Sequence, residues 1–170
     1  MAETQLPEPW LRGTLTDTPS VQRAVLHALE LAKEDLAKWC GRLSDAELNA
    51  RPANLAPVAF HIRHISRSID RLLTYAEGNE LGEAQMDALR GELDPGAGRD
   101  ELFAELESAL AQGASRVRAF RPKQLEDSRA AGKKRLPTTA GGLLIHIAEH
   151  TQRHVGQAIT TAKIIAASRK

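Results

Sequence analysis

The sequence predicts an all-α protein: a four-helix bundle with a long connection before its last helix. Three observations carry that expectation. Apolar residues recur at spacings of three and four along four separate stretches. Leu, Ala, Glu and Arg dominate while Ile, Val, Tyr and Phe are sparse, a balance that favours helix over sheet. No stretch reads convincingly as a strand, and several amphipathic helices in one chain bury their apolar faces against each other.

Residues 1–17 carry Pro7, Pro9 and Gly13 and read as an arm leading into a single domain over 18–170. Thr18-Pro19 suits a helix opening, with a hydroxyl at the cap and a proline whose missing N–H costs nothing. Val21, Val25, Leu29, Ala32, Leu36 and Leu43 then form one face of a helix over about 19–43. Ser44 and Glu47 have capping-box spacing and predict a short helical turn. Pro52 and Pro57 force a loop, because each disfavours helix at the residue before it.

A second long helix is expected from about Pro57 to Glu77, with Val58, Ile62, Ile65, Ile69 and Leu73 on its apolar side. A weaker piece over about 80–91 ends near Asp94-Pro95-Gly96. The third long helix covers about 99–120 and presents Leu102, Phe103, Leu106, Leu110 and Val117. Residues 121–138 contain two prolines, Gly132 and the run Lys133-Lys134-Arg135, an irregular connection with room for a small hairpin turn around Ala131-Gly132. The fourth helix begins near Thr138–Ala140 and runs to about Ser168.

Composition excludes several functions. A net charge of +1 gives no global attraction to nucleic acid or anionic membrane, and 4% aromatic content leaves few stacking platforms for single strands. The basic run in the 121–138 connection is too short to reverse that, so nucleic-acid binding is not expected. No stretch approaches the roughly 20 apolar residues of a membrane span. Cys40 is the only cysteine, which rules out a disulfide within the chain and suits a reducing compartment. The opening MAETQLPEPWLRG lacks the basic start and apolar run of a secretory signal, so the cytoplasm is the expected location. Cys40, beside Trp39 near a helix end, reads as buried filler rather than a nucleophile.

Five of the six histidines lie in two stretches, AFHIRHISRSIDRLL and LLIHIAEHTQRHVGQAITTAKII. At about 100° per residue, His154 lies about 40° to one side of His150 and His146 about 40° to the other. Leu143, Ile147 and Ala158 share that arc, which puts all three histidines on the buried side of the last helix. Burying imidazoles is costly unless their nitrogens find partners, and a cation engages several at once. Histidines at i and i+4 converge on a point just off their helix, and a third ligand from a neighbour leaves a coordination position open. The second helix offers His64 and His61 for that third place. The competing reading, core histidines bonded to carbonyls, is common enough that spacing alone does not decide. His27 projects away from its apolar face and is expected to be exposed. Arg63, Arg67 and Arg71 form a basic stripe beside His64, read first as a solvated face paired with Asp70 and nearby acids. The sharper reading makes Arg63 and Arg67 a cationic rim for an anionic substrate or thiol cofactor.

At these residues the chain resembles the DinB/YfiT-like superfamily of metal-binding four-helix bundles. The family's second-helix "LxHI" segment is matched by His61-Ile62-Arg63-His64-Ile65, and its last-helix "HxxxHxGQ" by His150 through Gln157. The likeness covers about residues 19–168. It departs from the common "HHRGQ" string, since Arg153 and Val155 replace the first histidine and the arginine, changing no ligand but altering the pocket. The resemblance implies a metal triad of His64, His150 and His154, with His61 and His146 as neighbours or alternate ligands. It also implies a divalent ion, a low-molecular-weight thiol cofactor, a small-molecule substrate and a homodimer. Imidazole suits zinc, nickel, iron and copper alike, so the ion's identity stays open. The resemblance supports a metal-dependent enzyme of the thiol transferase or hydrolase type. The alternative is a non-enzymatic metal-binding or stress-response bundle whose site is structural or vestigial.

Overall fold

The computed structural model describes residues 6–169; the first five residues of the expected arm, and Lys170, lie outside the described part. Six α-helices occur in it: α1 (Ser20–Cys40), α2 (Asp45–Leu48), α3 (Val58–Ala76), α4 (Glu83–Arg90), α5 (Arg99–Ala119) and α6 (Ala140–Ala167). Between α5 and α6 stand two short strands, β1 (Ser128–Ala131) and β2 (Leu136–Thr139), paired antiparallel with Ser128 opposite Thr139 and Ala131 opposite Leu136.

The four long helices pack in the cyclic order α1, α6, α3, α5. Chain neighbours α1 and α3 are therefore diagonal, as are α5 and α6. Diagonal placement demands a connection that crosses the end of the bundle, and both of these linkers carry local structure of their own. The first holds α2, closed by the expected capping box: Glu47 N–H donates to Ser44 Oγ and Ser44 N–H to Glu47 Oε2. The second holds the hairpin, where the weak sequence signal at Ala131-Gly132 becomes a turn closed by Arg135 N–H on the Gly132 carbonyl. Its base is fastened to α6: Ala140 N–H bonds the Asp127 carbonyl, Gly141 N–H bonds the Leu125 carbonyl, and Thr139 Oγ1 caps Gly142 N–H. Arg129 then donates to the Ala76 carbonyl, pinning β1 to the end of α3.

The apolar stripes meet as the periodicity requires. Leu36, Ile62, Ile65, Ile69, Leu73, Leu102, Leu106, Leu144 and Ile147 are almost completely buried. Where α5 crosses α3, Gly113 allows the close approach: a Cβ there would stand 2.7 Å from Ile69 Cγ2.

Three local expectations change. Pro19, not Thr18, holds the cap position of α1, with no side-chain cap. His27 is buried, because the arm folds back along α1 and sets Thr14 Oγ1 3.2 Å from His27 Nε2. Arg12 fastens that arm, donating to Glu30 and both oxygens of Glu34. The basic stripe of α3 is not a solvated face either. Arg63 and Arg71 are buried, and Arg67 is drawn to Glu105 on α5. Among the described residues no helix is long and apolar enough to cross a membrane.

Candidate metal centre

The site lies between α3 and α6. The i, i+4 spacing on α6 sets His150 and His154 one turn apart, and α3 inserts His64 between them. The ring centroids of His64 and His154 are 4.3 Å apart, those of His150 and His154 4.6 Å, and those of His64 and His150 5.0 Å. One nitrogen from each ring lies within 4.8 Å of the others. His64 Nε2 and His150 Nε2 approach to 2.9 Å. Phe60 stacks on His64, with centroids 5.3 Å apart and planes 21° from parallel, and walls one side of the site.

Outer partners orient two of these rings. Glu92 Oε2 is 2.7 Å from His64 Nδ1, and Glu92 Oε1 accepts from Arg71 Nη1 at 2.7 Å. Burial works to raise the Glu92 carboxyl, but the hydrogen bonds from His64 and Arg71 outweigh it and hold the group below the usual carboxylate range. An ionised Glu92 only accepts, so Nδ1 of His64 donates to it and Nε2 is the nitrogen left facing the triad. His154 Nδ1 lies 3.0 Å from Nδ1 of the buried His61. With the proton on the His154 side, its Nε2 is free to ligate while His61 accepts and keeps its own proton on Nε2. His150 is the exception: its Nδ1 is buried with no hydrogen-bond partner among the described residues.

Burial, reinforced by the neighbouring histidines, lowers His61, His150 and His154 to about 4. These rings are neutral at pH 7, the form that ligates a metal. Three converging imidazoles, with a carboxylate behind one and an imidazole behind another, fit a divalent cation. A cavity of about 390 Å³ opens beside His64 and His150, so two of the three triad residues border a space large enough for a ligand.

The other predicted residues are placed differently. His146 lies outside the triad; its side chain is 40% exposed, it bonds Glu149 through Nδ1 at 2.6 Å, and it lines the cavity. Arg63 donates to the Asp94 carbonyl, while Arg67 holds Glu105 and the Ala88 carbonyl. Neither lines the cavity beside the triad; Arg71 does. Cys40 is fully buried and its thiol is pushed up to about 12, which removes it as a nucleophile. Sequence reasoning missed Glu92. It sits in a single 3-10 turn, Gly91–Leu93, where no periodicity marks it, and its buried carboxylate among exposed loop acids has no sequence signature.

Among solved structures, a conserved protein from Enterococcus faecalis superposes with a TM-score of 0.70 at 18% identity, covering 88% of this chain and 99% of that one. YfiT from Bacillus subtilis, described as a probable metal-dependent hydrolase with an unusual four-helix bundle topology, superposes with a TM-score of 0.63 at 14% identity, covering 84% and 86%. At these identities the likeness establishes the fold. No curated protein matches the chain. The family model of the DinB superfamily matches residues 28–158, a span that includes all three histidines of the triad. The chain belongs to the DinB superfamily.

Proposed function

We propose that this protein is a metal-dependent enzyme acting on a small molecule, of the thiol transferase or hydrolase type. The observation that carries the reading is the convergence of His64, His150 and His154 at the edge of a cavity, with His64 backed by Glu92. His64, His150 and His154 would hold a divalent ion there, and its Lewis acidity would lower the pKa of a thiol or water beside it. The chain's own residues prepare the place. Glu92 fixes the His64 tautomer, His61 can do the same for His154, and Phe60 shields the ring faces from solvent. Arg71, tied to Glu92 and lining the cavity, keeps positive charge next to the entering group. Arg63 and Arg67 have no part in this reading, since their guanidiniums are already held elsewhere.

A closed structural site calls for a fourth protein ligand. His146 is engaged by Glu149, and His61 stands behind His154, so the open cavity favours catalysis. The small thiol, a homodimeric assembly and a cytoplasmic location belong to the same proposal. YfiT's description as a probable metal-dependent hydrolase supports it. Elemental analysis of the native protein beside a His150→Ala/His154→Ala variant is the test. About one divalent ion per chain, absent from the folded variant, is the expected result and opens a screen of thiols with electrophiles. A native protein that holds no metal after incubation with zinc, nickel or manganese overturns the proposal.

A further inference from the structure

The cavity beside the triad does not end there. Tyr75, Leu81, Met86, Gly132 and Lys133 line it, and the same five residues line a second cavity of about 720 Å³ farther out. The two adjoin across these shared residues, the inner one beside His64 and His150 and the outer one between Tyr75 at the end of α3 and the hairpin. The inner stretch carries an apolar wall of Leu72, Leu81, Met86 and Leu89; Ser68, His146 and Arg71 complete its lining, the Arg71 guanidinium being committed to Glu92. The outer stretch is cationic: Arg129, Lys133 and Arg135 line it against one carboxylate, Glu80.

Those cations are not equivalent. Arg135 pairs with Glu80 at 3.2 Å, and Arg129 is spent on the Ala76 and Ser128 carbonyls and on Asp127. Among the described residues Lys133 has no acidic partner. It stands on the exposed turn of the hairpin, at the junction of the two cavities. One uncommitted ammonium at the mouth of an apolar channel matches a ligand with one negative charge and an apolar body.

We infer that the groove binds a small amphiphilic organic monoanion. Its carboxylate sits on Lys133, and its apolar body lies along Leu72, Leu81, Met86 and Leu89. The other end reaches the histidines. This assigns a substrate class to the site described above and rests on that reading for the chemistry, but the binding of the anion is separable from the metal.

Calorimetric titration of the zinc-incubated full chain with octanoate, and with octylammonium as a tail of opposite charge, tests it. Octanoate is expected to bind and octylammonium to bind far more weakly. Lys133→Gln is expected to weaken octanoate about tenfold or more, and Lys133→Arg to restore most of the loss. Lys134→Gln, one residue along the same exposed turn and outside both cavities, leaves it unchanged. Absence of octanoate binding, equal binding of the two tails, or equal losses in Lys133→Gln and Lys134→Gln overturns the inference. Metal content measured on the same samples keeps the two ideas apart. Lys133-dependent octanoate binding without metal sustains the groove and sinks the metal centre. A metal-loaded protein indifferent to octanoate does the reverse.

Discussion

Replacing Glu92 by Gln changes one atom and disturbs two partners. Glu92 and Arg71 have side chains only 5% and 11% exposed, so water does not make good what the carboxylate loses. In the variant one oxygen becomes an NH2 group. Arg71 offers only donors, so the remaining oxygen turns to Arg71 and the NH2 faces His64 Nδ1. His64 then moves its lone pair to Nδ1 and its proton to Nε2, the nitrogen that faces the triad. Loss of an outer carboxylate lowers metal affinity about 10–100-fold, and the enforced tautomer puts this variant near the upper end. At about 1.4 kcal/mol per decade, that is about 3 kcal/mol of metal binding. The fold loses about 3 kcal/mol as well, because the buried Arg71 keeps one hydrogen bond but loses its counter-charge. Zinc affinity measured by competition with a chromogenic chelator reads the first effect and urea denaturation the second. Long-range proton–nitrogen correlation spectra report the tautomer directly. A folded Glu92→Gln protein that binds zinc as tightly as the native one, with the His64 proton still on Nδ1, refutes the reasoning.

Acid is expected to destabilise the metal-free protein. His61, His150 and His154 titrate near 4 when folded and near 6.5 when unfolded, so between those values the unfolded chain binds more protons. Stability is therefore full above about 6.5 and falls as pH drops toward about 4, which melting curves in the presence of a chelator will show. His61→Leu removes the acceptor behind His154 and is expected to lower zinc affinity about tenfold, while His61→Gln, which keeps an acceptor, retains most of it; equal losses would mean that His61 acts through something other than that hydrogen bond. Gly113→Ala gains about 1 kcal/mol of helix propensity but drives a methyl into the β-branched Ile69, an overpacking cost of about 1–3 kcal/mol. Urea denaturation should find a net loss of about 1 kcal/mol, and a stabilised variant would show that α3 and α5 part easily.

The long helices were legible because each buries one stripe along its length. Val58 through Leu73 repeat at helical spacing and the structure starts and ends that helix within a residue of the expected 57–77. The Ser44–Glu47 box was legible for the same reason, being a local hydrogen-bond pattern. His150 and His154 could be aimed at the core from their wheel positions. The same wheel misjudged His146, because it gives direction around the helix and says nothing of which neighbour covers each turn. His27 failed in the opposite sense: its angle points away from the bundle, and only the returning arm covers it. Arg71 looked solvated because its buried partner, Glu92, lies 21 residues away in a turn with no repeating pattern. Periodicity records what one element does, and the contacts between a helix and a loop escape it.

The hairpin that precedes α6 is anchored at its base by backbone hydrogen bonds to Leu125 and Asp127, while its turn hangs over the groove and contributes nothing to the core. Base and tip thus answer to different selective pressures. Residues 132–135 can be rewritten, lengthened or recharged without disturbing a buried helix contact, whereas the histidines cannot move without unmaking the α3–α6 seam. A lineage built on this scaffold is free to retune which molecule enters by editing a few exposed positions and to leave its reactive centre untouched, so divergence in preference is expected to run ahead of divergence in chemistry.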